Sequence, residues 1–363
     1  MAFRAQDGQT PDAFDGLIAR GPGNATLEQL ASLIDWKPLR MIFAPAYDAS
    51  GRGQLGLDPV ILYKMLLLEE LYALSDVEVS REAGDRLSFR RFLGLDPSQQ
   101  APDDTTLVKF RARLRERGLL EKARLEIERQ LAQKNLCVLP SAIKVVDATV
   151  IPAATRPPKD KPKPEGGEGT NEAPQAPTAD APTQPTPEPA PAPARKESER
   201  GLDHEAAFGG KKGKLRYGYK MHAAMDAQTG IVTAFAVTPA NVSDTKVFGV
   251  LLEKEEAGVL ADKGYDSREN REELAGRGAL DGIMRRVGGR REMTVLGQLE
   301  TWRNKALSKM RAPSEGVFAA MKRWGRLGRA VYKGIVRVRD QVVMAVTAHN
   351  ALKALRLHRA RCA

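Results

Sequence analysis

The apolar positions of the chain follow two patterns, with a change near residue 140. In LDPVILYKMLLLEELYAL, Leu62, Met65 and Leu66 recur at spacings of three and four before Glu69 and Glu70, which predicts a helix with one apolar face. Asp58 can cap it, and Pro59 takes the first helical position, where a missing N–H costs nothing. Ser75 and Glu78 have capping-box spacing and open the next helix, SDVEVSREAGDRL. A shorter helix around FRRFLGL follows. PDDTTLVKFRARLRERGLLEKARLEIERQLAQKNL then reads as one long helix or two. Residues 27–136 are thus expected to be all-helical, after a loose, period-free segment over 1–26.

Beyond residue 143 the pattern is that of strands. IKVVDATVI is a β-branched run interrupted by one aspartate and predicts a first strand within 143–155. Residues 156–200 hold 12 of the 23 prolines and cannot bury apolar surface, so they are expected to form an extended, disordered insert. Residues 201–355 take up the pattern again. KLRYGYKMHAAMDAQTGIVTAFAVTP holds two β-type runs joined by a turn signal from Asp226 to Gly230, a hairpin. AGVLADKGYDS is a short apolar strand ending on an acid, SRENREELAGRGAL a helix with Gly278 near its end, and DGIMRR another strand. From about 297 the chain is mostly helical. The order is that of a mixed α/β protein.

Composition narrows the function. The 363 residues are 42% hydrophobic, enough for two or three units with sizeable cores. Cys137 and Cys362 stand far apart with no metal-ligand spacing, which excludes a disulfide framework and a structural zinc site and fits a reducing cytoplasm. MAFRAQDGQT lacks the apolar core of a signal peptide, and ILYKMLLLEELYAL carries Lys64, Glu69 and Glu70, so a cytoplasmic location and no membrane partner are expected. The net charge of +11 calls for a polyanionic partner, most commonly nucleic acid. From Arg303 to Arg361 there are fifteen Lys or Arg against Glu315 and Asp340. Trp324 and Tyr332 are interleaved there with Lys322, Arg323, Arg326, Arg329 and Lys333. That composition suits a surface that tracks phosphates and stacks bases, the plainer alternative being a solvated basic helix face.

Three acids stand out. Asp147 interrupts one apolar strand and Asp262 closes another. A carboxylate in a buried strand is costly unless it is paired or binds a cation. One such residue is ordinarily a cap or the partner of an arginine, whereas two on similar strands point to a shared cation. Glu315 follows Pro313 at the expected start of the helix SEGVFAAMKRWGRLG, where an acid also suits the helix dipole. Arg311, Glu315 and Lys322 form R-x3-E-x6-K, which places Glu315 and Lys322 nearly two turns apart on one helix face. Such carboxylates suit Mg2+ or Mn2+, and two ions could serve phosphoryl transfer. His204 with Glu205 and His222 with Asp226 read as metal ligands or, preferably, as structural or substrate contacts. GRGQLG and GGKKGK lack the Gly-Lys-Ser/Thr of a P-loop.

Together these residues resemble bacterial insertion-sequence transposases of the DDE class, in particular the IS-five-like group. The resemblance runs from about Trp36 to Leu355, apart from the proline-rich insert. It is carried by LDPVILYKMLLLEELYALSDVE, FRRFLGL, PDDTTLVKFRARL, VVDATVI, YGYKMHAAMDAQTGIV, TPANVSD, ADKGYDS, RAPSEGVFAAMKRWG and VYKG. It implies an RNase H-like catalytic core, a mixed five-stranded sheet with helices, preceded by the all-helical N-terminal domain. It implies that Asp147, Asp262 and Glu315 are the acidic triad and that Arg311 and Lys322 belong to the signature around the glutamate. Related transposases carry a tyrosine three positions before that arginine; here Ser308 stands there.

The expected activity is metal-dependent cleavage of double-stranded DNA at terminal inverted repeats, then strand transfer into target DNA, by a homodimer or higher homo-oligomer. Arg311, Lys322, Arg323 and Arg326 are expected to hold phosphates, and Lys109 and Arg113 to contact DNA from the helical domain, unless that domain is a dimerisation bundle. The alternatives are a DNA-binding relic or repressor that no longer cuts, and a nuclease of the same fold that cuts without joining.

Overall fold

In the computed structural model, residues 24–47, 56–96, 98–136, 143–157, 201–210, 215–253, 256–287, 294–323 and 325–362 are described. All but the first two residues of the proline-rich insert, most of the 1–26 segment, most of both glycine-rich stretches, Cys137 and Trp324 lie outside them, as does the side chain of Cys362.

Among the described residues seven α-helices come first: α1 (Ala25–Leu33), α2 (Lys37–Phe43), α3 (Pro59–Tyr72), α4 (Asp76–Asp85), α5 (Leu87–Leu93), α6 (Asp104–Glu116) and α7 (Leu119–Gln133). Their ends are set by the residues the sequence singles out. Asp58 accepts from the Val60 N–H at 2.9 Å, the Ser75–Glu78 capping box closes in both directions, and Asp103 accepts from the Thr106 N–H at 2.8 Å. The long run splits into α6 and α7 at Gly118, whose φ of +61° an L side chain rarely adopts. Helix α3 departs from expectation. All residues from Pro59 to Glu70 are buried, so it is the central helix of the bundle rather than a surface helix with one apolar face. Its Lys64 lies 4.6 Å over the Trp36 ring, and burial draws its pKa down to about 8.

The second region contains β1 (Ile143–Pro152), β2 (Ala207–Gly209), β3 (Arg216–Asp226), β4 (Val232–Pro239), β5 (Gly258–Ala261), α8 (Arg268–Gly276), β6 (Leu280–Ile283), α9 (Val295–Arg323) and α10 (Ile335–Cys362). The sheet runs β2-β3-β1-β5-β6, with β4 also on β3. Strand β1 is antiparallel to β3 and parallel to β5, and β5 is parallel to β6. Strands β2 and β4 pair with successive stretches of the same edge of β3, so the six strands stand five abreast. The three-residue β2, within the loop-like HEAAFGG, is the strand the sequence pattern does not show. The expected hairpin is present: Asp226 Oδ1 accepts from the N–H of Gln228 and Thr229, and Gly230 takes a φ of +69°.

Alternate residues of the strands fill two cores. Val145, Ile151, Tyr219 and Met221 pack under α9 and α10, and Val146, Ala224, Val259 and Ala261 pack against Phe248, Tyr265 and Leu274 on the other face. Helix α10 also enters the helical bundle through Met344, Ala351 and Leu355, so one helix is shared by both regions. A buried ion network adds to this seam. Glu69 of α3 receives Arg111 of α6 at 2.8 Å and Arg326, from the turn after α9, at 2.9 Å. Asp76 binds Arg111 at 2.6 Å, and Arg115 of α6 reaches Asp340 of α10. Among the described residues no helix is long and apolar enough to cross a membrane.

Candidate active site

Asp147 sits in mid-β1 on the face it shares with Val145 and Ile151, beneath α9. Parallel pairing of β1 with β5 sets Val146 opposite Ala261, so Asp147 and Asp262 are the next residues along neighbouring strands. Asp262 immediately follows β5 and caps the turn after it, where its Oδ1 accepts from the Lys263 N–H at 2.7 Å. Burial is the main influence raising the Asp147 pKa; Arg311 pulls it down, and the like charge of Asp262 pushes it up. The two aspartates expected to share a cation therefore stand side by side.

Helix α9 covers them. Val317, Phe318 and Met321 anchor it in the core under the sheet. Arg311 Nη2 lies 2.8 Å from Asp147 Oδ2, and the Ser314 hydroxyl donates to the same oxygen at 2.9 Å. The Arg311 Nε–H is buried without an acceptor among the described residues. Glu315 is exposed and lies one residue past Ser314 and one turn past Arg311. It is not at a helix start, as the sequence pattern suggested: α9 begins at Val295 and runs through Pro313. The helix tolerates this proline because position 313 is exposed, where water can reach the carbonyl deprived of its helical donor.

The other expected phosphate holders have mixed placements. Lys322 is half-buried and donates to the Val150 carbonyl at 2.9 Å; burial lowers its pKa, with Arg216 adding to the effect. Arg326 is not at a surface, because the Glu69 pair takes it into the seam. Tyr332 lies there too, 5.5 Å from the Arg111 guanidinium, and Arg329 donates to the carbonyls of Ala153 and Ala154. Arg323, Lys109 and Arg113 are exposed, the last lying 5.8 Å over the Tyr47 ring. Lys109 and Arg113 are one turn apart on α6 and present charge from one face.

The histidine readings resolve structurally. Glu205 accepts from the Ile335 N–H at the start of α10, and Asp226 forms its own turn. His222 does not meet Asp226; it faces Asp244 and Tyr265. Ser314 and Asp244 are the polar neighbours of the site that local sequence reading missed. The only available signal for Asp244 was its place in TPANVSD. Among the described residues no group of three or more His, Cys, Asp or Glu stands close enough to hold a metal. The pair Asp147–Asp262 nonetheless has the donor chemistry a hard divalent cation takes: anionic oxygens set near each other with their charges incompletely offset.

Paired aspartates of neighbouring strands beneath a helix bearing arginine and glutamate, on a mixed sheet in a basic chain, are the features of a DNA-processing enzyme of the DDE class. Residues 140–351 match the family described as "Transposase DDE domain", and residues 17–113 match "Transposase domain (DUF772)". The chain belongs to the DDE transposases; its sheet is their RNase H-like core, and DNA is its partner. A relative described as "Transposase for insertion sequence element IS1106", from Neisseria meningitidis serogroup B, is 34% identical over 230 residues, covering 63% of this chain and 70% of the relative. No solved structure matches the chain. DDE transposases as a class depend on divalent metal.

Proposed function

We propose that this transposase cuts DNA at the inverted repeats ending an insertion sequence and joins the freed 3′ ends to target DNA, with Asp147, Asp262 and Glu315 holding two divalent ions, Mg2+ or Mn2+. The observation that carries this reading is the register of β1 and β5, which sets Asp147 and Asp262 on neighbouring strands with coupled charges. Glu315 joins them because its helix already seats Arg311 and Ser314 on Asp147. When bound, such ions supply an activated oxygen nucleophile and offset charge on the attacking and leaving oxygens.

The chain's own groups do the rest. Arg311 offsets the buried charge of Asp147, and its unpartnered Nε–H suits a phosphate oxygen. Ser314 fixes the rotamer of Asp147. Lys322 and Arg323 extend positive charge along α9, and Lys109 and Arg113 contact the duplex from the helical region. No covalent protein–DNA intermediate is needed. Two copies act together, supported by the apolar stripe Val295, Leu299, Trp302 and Met310 exposed on α9. The setting is the cytoplasm, at the nucleoid.

A divalent-metal nicking assay on DNA bearing the inverted repeats tests the reading. Asp147→Asn and Asp262→Asn should each lower nicking by at least about 10³-fold, the worth of several kcal/mol of charge stabilisation. End binding should stay intact. Nicking retained by either variant removes that residue from the triad, and a wild-type chain that binds the ends without cutting is a repressor rather than a transposase in use.

A further inference from the structure

On the sheet face away from α9, a polar cluster lies beneath the turn that follows Asp262. Lys220 and His222 are alternate residues of β3. Lys220 Nζ donates to Asp244 Oδ1 at 2.9 Å and to the Val242 carbonyl at 3.0 Å. His222 is fully buried, with Nδ1 3.7 Å from Asp244 Oδ1 and 3.5 Å from the Tyr265 hydroxyl, and Nε2 3.0 Å from Thr238 Oγ1. Burial draws its pKa down to about 4, against the pull of Asp244, so the imidazole stays neutral at pH 7.

Two residues of the adjoining turn rest on this cluster. Tyr265 closes the turn through its N–H to the Asp262 carbonyl at 2.9 Å, is buried against Phe248, and points its hydroxyl at His222. Gly264 lies so near Asp244 that a Cβ there would stand 2.8 Å from Oδ2. The backbone carrying Asp262 is thus held from below by His222 and Asp244, and the chemistry above uses neither.

We propose that Asp244, fixed by Lys220, is a positioning residue that sets where the Asp262 carboxylate stands, and so the affinity of the site for its divalent ion. The inference rests on the reading of Asp262 as a ligand. A carboxylate, an ammonium and an imidazole are costly to gather beside an apolar core, whereas apolar side chains would support the turn without that cost. Polar groups placed behind a ligand orient it, and their loss commonly weakens metal binding by about 10–100-fold.

The test uses the full chain without DNA and Mn2+ alone as the probe, with free Mn2+ read by electron paramagnetic resonance. Asp262→Asn serves as the ligand control. Asp244→Asn should weaken Mn2+ binding by about tenfold or more while the circular dichroism spectrum is unchanged. Lys220→Met should do the same, and Lys220→Arg should restore binding to within about threefold, since it keeps the charge. Gly264→Ala reaches the same contact from the turn without removing a charge, and should also weaken binding. If Asp262→Asn loses the ion but Asp244→Asn and Gly264→Ala bind it as the wild type does, the inference is overturned and the ligand reading stands. If the wild type binds no Mn2+, or Asp262→Asn binds it normally, the ligand reading fails and the inference with it.

Discussion

Asp147 has been taken out of water between a sheet and a helix, and its charge must be answered. Arg311 at 2.8 Å and Ser314 at 2.9 Å on one oxygen, with the Ala148 N–H on the other, provide that answer within the chain. The arginine therefore meets the same electrostatic need that the proposed divalent ion would meet. Arg311→Ala should destabilise the metal-free protein by about 3 kcal/mol, because breaking a buried pair leaves one charge uncompensated. Added Mn2+ should recover part of that loss. Urea unfolding with and without Mn2+ measures both, and an equal loss in both conditions would separate Arg311 from the metal site. In the sequence, the R-x3-E-x6-K spacing linked Arg311 to Glu315 and Lys322 but began the helix after Pro313, leaving Arg311 outside it. That Arg311 turns to Asp147 depends on the packing of α9, which no local pattern encodes.

At the scale of elements, the informative part is the seam between α3, α6 and the turn after α9. Burial pushes the Glu70 pKa up to about 7, with Arg326 opposing it. Between about pH 4.5 and 7 the folded chain holds a proton on Glu70 that the unfolded chain has released, so the contribution of Glu70 to stability falls as pH rises through that window and is constant above it. Glu70→Gln removes the titration and keeps an acceptor for the Arg326 N–H, bonded at 3.3 Å in the native chain. Relative to the wild type, this variant should gain up to about 3 kcal/mol between pH 5 and pH 8. Urea unfolding at the two pH values decides it; a pH-independent difference would mean that Glu70 stays charged throughout. The capping residues and the Asp226–Gly230 turn were legible beforehand, because their bonds lie within a few residues. The all-round burial of α3, the depth of α9 and the existence of β2 were not, since each depends on partners far along the chain.

At the scale of the molecule, α10 belongs to two cores, and Arg326 and Arg115 join the helical region to the catalytic one. Some of the charge that marked the chain as a DNA binder thus works inside it. The exposed stripe on α9 belongs to this scale as well. Trp302 is 72% exposed, and Val295, Leu299 and Met310 are exposed on the same side of the helix, the kind of apolar stripe that marks a contact surface. Pairing of two copies through this stripe, as proposed above, requires that Trp302→Glu sediment as a monomer at concentrations where the wild type sediments as a dimer, with the circular dichroism spectrum unchanged. A variant that sediments as the wild type does would place the contact between copies elsewhere.

By itself the sequence determined the helical-then-mixed order, the caps and turns, and the basic balance, and it singled out the acids proposed for the site. Each of these is written in neighbouring residues or in totals over the chain. The tertiary structure decided which of those charges face one another. Strand register set Asp147 beside Asp262, the depth of α9 brought Arg311 and Ser314 onto Asp147, and the seam drew Arg326 inward. Those outcomes depend on residues tens to hundreds of positions apart coming into contact, and a charge acquires its partner, and its role, only there.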